Sequence, residues 1–385
     1  MALVVLLILS IIILCNSTTY EWNIFEKYGS ITQSTIANGI SDAQNIFEKS
    51  PNDIVILIIN NGTYNIGGDN SYGIDLSKGI KPGDNGGRFI IKGQGINETG
   101  TKLIFTDIYQ AQIFGKNVYH TTFQDLHMTR NQYTVTQGTT KNINIEKSTI
   151  DISLHSGYPN PNSLLSPTKE PTGGGLFIRQ YTKSKTDPHI YANLSDIPWI
   201  NATSQGNNIW RFNLNDVHNV LSLYNINQYI GVKAKHDGDT YHICGGNDII
   251  FKNILWTQSS RGTLRCGINN ILFDSIKVLR SPPINNQTPC MSTNAGGPQL
   301  NQPGDTMAYN ASIQNSYFEC TGDDSIAFFQ VTNGSVYNTY IRDSFSNGIR
   351  VNSTAQTNDA VCGQNITLVR SVLFNQSGNY HNGCP

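Results

Sequence analysis

The sequence predicts an all-β protein wound as a solenoid, and three observations predict it. Thirty-five glycines, many Asn-Gly and Gly-Gly pairs, and abundant Ile, Val, Tyr, Phe and Thr make a composition of short strands and turns. A short apolar strand broken by a polar residue recurs as Phe251-Lys252-Asn253-Ile254, Phe273-Asp274-Ser275-Ile276, Ile313-Gln314-Asn315-Ser316, Val336-Tyr337-Asn338-Thr339 and Leu368-Val369-Arg370-Ser371. The copies at 251 and 273 start 22 residues apart and those at 313 and 336 start 23 apart, so the wider gaps of 40 and 32 each hold a repeat plus an inserted loop. No helix of crossover length separates the strands, which argues against an ordinary α/β sheet. A unit this short buries its apolar face only against its neighbours, so the copies must stack.

Taken in order, residues 1–17 open with an apolar run that ends in small and polar residues, and they read as a signal peptide. Lacking Lys or Arg before that run, residues 2–15 have an uncleaved membrane anchor as the alternative. Residues 18–150 form an N-terminal cap and the first coils. Within them Ile36, Ile40, Ala43, Ile46 and Phe47 are spaced as one face of a short helix that stops at Pro51. The runs 53–59, 89–95 and 101–105 are strands, and 122–128 and 143–150 are early copies of the repeat. Residues 151–234 break the rhythm with turn-rich segments and Trp199 and Trp210, an inserted β-subdomain whose aromatics either wall a sugar groove or fill its own core. Residues 235–385 return to coils.

Two further signs favour export. Sequons stand at Asn61, Asn97, Asn193, Asn201, Asn286, Asn310, Asn333, Asn352, Asn365 and Asn375. Without Cys15 an even set of cysteines remains: Cys244, Cys266, Cys290, Cys320, Cys362 and Cys384. Cys244 and Cys266 both precede a coil start by seven residues and should bridge neighbouring coils; Cys290 with Cys320 and Cys362 with Cys384 are the pairings expected next. No cysteine spacing suits zinc, and no metal or cofactor is expected. A net charge of −1 without a basic run argues against nucleic acid, leaving a glycan as partner of a monomeric protein.

The chemistry concentrates in Gly322-Asp323-Asp324, which runs straight into the apolar segment Ile326-Ala327-Phe328-Phe329. A turn before a strand can bring both carboxyls to one surface, where like charges push one pKa up and yield a protonated and an ionised carboxyl at one pH. The plainer reading is an Asx-type turn that caps the strand.

The helix, the Ile-rich strand with its Asn61-Gly62-Thr63-Tyr64 turn, Lys92-Gly93-Gln94-Gly95 and coils such as Ile250-Phe251-Lys252-Asn253-Ile254 together resemble the right-handed parallel β-helix proteins of the pectin-lyase-like superfamily. Gly322-Asp323-Asp324 resembles the aspartate pair of the polygalacturonase-like inverting glycoside hydrolases. That family adds an Asp in the preceding coil, a Gly-His-Gly one coil later and then an Arg-x-Lys. Here Ser292-Thr293-Asn294-Ala295-Gly296 stands in the preceding coil, Asn347 holds the place of the His, and no Arg-x-Lys follows. The resemblance therefore implies an inverting hydrolase of a neutral glycan, with Asp323, Asp324 and, from a loop, Asp305 as its carboxyls. Asn347 and Arg261, counted onto the line of the pair, are the substrate-binding candidates. His236 and His242 read as solvated or capping residues before catalytic ones. A non-catalytic glycan-binding or cell-coat protein is the alternative function; a lyase would need a basic abstractor and a Ca²⁺ site that the chain does not offer.

Overall fold

Residues that tolerate a left-handed backbone set the winding. Asn253, Ser275, Asn315 and Asn338 have φ of 51°, 60°, 52° and 44°, so the polar residue of each repeat is a corner. At the other end of the same rungs a second row of carboxamides stacks: Asn270 Nδ2 donates to Asn247 Oδ1 at 2.9 Å, Asn310 to Asn270 at 2.9 Å and Asn333 to Asn310 at 2.6 Å. Asn310, Asn333 and Asn365, three of the sequon asparagines, are such corner residues.

The computed structural model describes residues 17–68, 71–164, 176–191, 194, 196–215, 218–234, 238–352, 361–375 and 380–382. The apolar opening run, His236, Asn193 and Cys384 lie outside them. The chain is all-β with few helices, one large parallel sheet and a closed six-stranded barrel. The labelled elements are α1 (Ile24–Tyr28), α2 (Gln33–Lys49), β1 (Thr19–Asn23), β2 (Ile54–Ile58), β3 (Arg88–Lys92) and β4 (Ile113–Arg130); then the barrel strands β5 (Val135–Asn144), β6 (Thr149–Leu154), β7 (Leu176–Tyr181), β8 (Ile197–Ser204), β9 (Ile209–Leu214) and β10 (Tyr229–Ala234); then β11 (Tyr241–Trp256), β12 (Gly262–Arg265), β13 (Asn269–Val278), β14 (Pro298–Leu300), β15 (Ala308–Gln314), β16 (Ile326–Phe329), β17 (Val331–Arg342), β18 (Ile349–Asn352) and β19 (Val361–Val369).

Parallel rungs stack in three columns. One runs β2, β3 and the middle of β4 and β11, then β13, β15, β17 and β19. Phe123, Phe251, Phe273, Ile313 and Val336 occupy one line of it, each directly over the last, as the repeat spacing requires. The first three rings stack at 5.1 and 4.9 Å inside the coils. The copy at Leu368 departs from the expected stacking: it lies over Ile341, and Gly363 lies over Val336. β17 is long enough to carry two apolar rungs, and Ile341-Arg342-Asp343-Ser344 repeats the apolar-x-polar-Ser pattern as well as Val336 does.

The second column holds the start of β4 and of β11, then β12, β14, β16 and β18. The corner that leads into it is five residues long at 257–261 and six at 320–325. Between β4 and β11 that corner is filled by the barrel.

Helix α2 closes the end of the stack. Thr32 and Thr35 exchange the two hydrogen bonds of a capping box, at 2.9 and 3.3 Å, and Ile36, Ile40, Ala43 and Phe47 are buried, with the Phe47 ring edge-on to Phe89 at 6.3 Å. No helix among the described residues is long and apolar enough to cross a membrane.

The barrel starts at β5, earlier than the expected boundary at 151, and takes in 143–150. Ile143 and Ile150 face each other across an antiparallel hairpin, because strict apolar alternation looks the same in a hairpin strand and in a solenoid rung. Trp199 is buried with Ile150, Ile178, Phe212 and Val232, so the aromatics of the insertion fill its own core.

Cys244 and Cys266 are bridged, with Cα atoms 5.2 Å apart. Replacing both by Ser should lower stability by about 2–4 kcal/mol, read as a shift of the urea midpoint; an unchanged midpoint would show that stacking alone closes these coils. Cys290 and Cys320 do not pair but stand as two buried thiols. Cys290 faces Tyr181, Tyr229 and Met291 at the barrel junction, where an apolar cluster uses it as a small hydrophobe. Cys362 is itself half of a disulfide.

Candidate active site

The turn 320–325 stands on the outer side of the second column, between the solenoid and the barrel. Gly322 is required there, since a Cβ would collide with the Thr293 carbonyl of the coil below. Thr321 Oγ1 donates to the Asp323 carbonyl at 3.0 Å and shares a bond of 2.8 Å with Ser325 Oγ; Ser325 in turn reaches Ser344 at 2.7 Å. This line of buried hydroxyls ties the turn to the coil above.

Ile326 pairs with Ile349, which sets Asp324 level with Asn347 one coil on. The Asn347 backbone N–H and side-chain Nδ2 both donate to Asp324 Oδ1, at 3.0 and 2.6 Å, and Arg350 lies 3.6 Å from Oδ2. The Asp324 side chain is only 9% exposed. Burial pushes its carboxyl above the usual range, the neighbouring Asp323 adds to the rise, and Asn347 and Arg350 offset part of it. Asp323 is partly exposed. The two carboxyls thus sit in unlike surroundings, the arrangement that separates an acid from a base.

Asp305 is not brought to the pair. Arg265 holds it with two bonds of 3.0 and 3.2 Å, the Gln302 N–H adds a third at 2.9 Å, and the Asp305 carboxyl titrates low although burial opposes this. Arg265 stands level with Asn301 and Phe329, so the length of β16, about 13 Å of strand, separates it from the turn. Arg261 also falls off the line. Gly262 pairs with Pro298, the residue before Gln299, which pairs with Ala327, so Arg261 is level with Ser325 and the residue level with Asp324 is Ser260. The corner from Phe318 to Ile326 is two residues longer than the one from Trp256 to Gly262, and the count is off by that much. Arg261 bonds Asp239 at 3.2 Å and Gln299 at 3.3 Å. His242 bonds the same Asp239 at 3.1 Å and stacks on Phe114 at 5.8 Å, in a row that Tyr72 extends at 3.9 Å.

Two residues that repeat reasoning missed lie against the pair. Arg350 was legible in principle, because Ile349-Arg350-Val351-Asn352 alternates and turns Arg350 outward one coil above Asp324. Lys233 was not: it ends a barrel strand, is buried, and donates to the Gly322 carbonyl.

No family model and no curated protein matches the chain. Among solved structures, one described as the crystal structure of Agl-KA catalytic domain aligns over 92% of this chain at 11% identity with a TM-score of 0.38; the chain spans about half of that domain, 48% of its length. A second, described as a glycoside hydrolase, aligns over 91% of each chain at 7% identity with a TM-score of 0.26. Overlap this slight leaves the functional reading to the geometry.

Proposed function

We propose that the protein is an exported right-handed parallel β-helix hydrolase that cleaves an extracellular neutral polysaccharide with inversion, using Asp324 as the acid and Asp323 as the base. The observation that carries this is the contrast within the pair: one carboxyl buried and pushed up, its neighbour partly exposed. A bridged Cys244–Cys266 and the sequons support export. Asp324 in its protonated form gives its proton to the leaving oxygen; Asp323 takes one from water, whose oxygen bonds the anomeric carbon from the opposite face as the glycosidic bond breaks. Inverting carboxyls stand roughly 6.5–9.5 Å apart.

Reducing ends should appear when the protein is incubated with one of a panel of neutral polysaccharides, and NMR at early times should show the inverted anomer. Retention of configuration, or release from acidic polysaccharides only, would overturn the reading. A specific observation favours a second one: Asp305 is committed to Arg265, and Asn347 caps Asp324 as it would cap any turn. On that reading the protein binds glycan without cleaving it, and the same panel gives binding with no reducing ends.

A further inference from the structure

The barrel touches the solenoid at three successive turns of the second column. Asn294 Nδ2, in the turn before β14, donates to the Ala234 carbonyl at 3.0 Å. Lys233 Nζ donates to the Gly322 carbonyl in the turn before β16. Arg179, on the neighbouring barrel strand β7, donates to the Phe345 carbonyl in the turn before β18. The Lys233 ammonium also lies 4.0 Å from the centre of the Phe345 ring and 5.5 Å from that of Phe177. Two adjacent residues of β10 and one of β7 thus span the coil of the Asp pair and the coils on either side.

Docking alone does not call for an ammonium at this place. The junction already has an apolar cluster of Val135, Tyr181, Tyr229, Met291 and Phe345, and a lysine 2% exposed costs desolvation that a methionine would not. Its place on the carbonyl that immediately precedes Asp323 brings a positive charge within about one peptide of the pair.

We propose that the inserted barrel is part of the site and that Lys233 is a positioning residue: it pins the Gly322 carbonyl and biases the adjacent base, Asp323, toward the ionised form. This rests on the hydrolase reading for its kinetic consequence. The charged groups around the pair are Lys233 from β10, Arg179 from β7 by way of Phe345, Arg350 from β18, and Asp343 in the following coil, paired with Arg370 at 2.5 and 2.7 Å. Lys235, His236 and Asp237 lie outside the described residues.

Lys233→Gln keeps a donor for Gly322 and removes the charge. Relative to the native protein, kcat should fall about tenfold with KM little changed, and the acid limb of the kcat–pH profile should move up by about half a pH unit or more, because a lost cation raises the base. Lys233→Arg should restore the limb, which a loss of packing would not. Should Lys233→Gln not fold, Phe345→Leu removes the ring that holds the ammonium while keeping every charge, and it should move the limb in the same direction by less. ¹³C titration of the aspartate carboxyls in the native and Gln forms reports the same shift without any assay. An unmoved limb and unmoved titration in a folded Lys233→Gln protein would overturn the proposal. If the native protein cleaves no neutral polysaccharide, the hydrolase reading fails by itself and the carboxyl titration still decides the role of Lys233.

Discussion

Asp324→Asn should lose at least about a hundredfold in turnover while melting no lower than the native protein. The two halves of that result have one cause. The raised carboxyl is unfavourable to folding wherever the unfolded chain ionises more readily than the folded one. The penalty is absent below about pH 3.9, where the unfolded aspartate is also protonated, grows as pH rises from there toward the raised folded pKa, and is complete above it. Asn stands in for the protonated side chain at every pH. Its Oδ1 still accepts from the Asn347 backbone and side chain, as the Asp324 oxygen does now, so the turn keeps its shape. At neutral pH the variant should therefore equal or exceed the native protein in Tm, with the advantage fading toward pH 4. Thermal melts at pH 4 and 7 beside the reducing-end assay check both halves. A Tm several degrees lower at pH 7 with binding intact would identify Asp324 as a turn cap and favour the non-catalytic reading.

The largest stability effect should come from Arg130. Its guanidinium is buried and donates to four carbonyls: Asp107 at 2.5 Å, Gln110 at 3.3 Å, Gly238, and Asp239 at 3.4 Å. Burial pulls it down to about 10, so it stays charged at neutral pH. It ends β4, and Gly238 and Asp239 are where the chain returns from the barrel, so one side chain fastens both ends of the insertion to the coil. Arg130→Met leaves those carbonyls buried without a donor, and removing the partner of a buried charge-assisted set costs about 3–5 kcal/mol. For a chain of this length that is a fall in Tm on the order of 5 °C. Arg130→Lys should recover only part, because an ammonium cannot fan out to four acceptors. A loss below about 1 kcal/mol in urea titrations of Arg130→Met would show that the join is held by the ladder alone.

Much of the fold was legible because the solenoid is a local rule repeated. Each rung at 251, 273, 313 and 336 carries its own apolar residue and its own corner, and stacking follows from the period. Where two rules give one pattern, the sequence was silent: 143–150 alternates as well in a hairpin as in a coil, and Leu368 fits Ile341 as well as Val336. The site was legible only along the columns. Asp323, Asp324 and Asn347 could be counted into line because their corners have the same length, whereas the corner before β12 is two residues shorter and displaced the count at Arg261; Asp305 lies in a loop before β15, outside any periodic count to its Arg265 partner. Lys233 and Arg179 reach turns 89 and 166 residues away. Nothing periodic encodes such contacts, since they depend on how one folded body rests on another.

The corner that leads into the second column has a consequence for how such a chain can change over time. It takes five residues at 257–261, six at 320–325 and an entire barrel between β4 and β11, yet β4 and β11 pair over thirteen positions without a slip. The entropy of closing a loop grows only with the logarithm of its length, about 0.6 kcal/mol per doubling. One edge of the stack is therefore a splice point, where material enters or leaves without shearing the ladder. The turn with the aspartates stands on that same edge, so anything grafted there arrives beside it. A domain acquired at this corner starts out as a neighbour of the carboxyls, and two side chains of the present one already touch their turns.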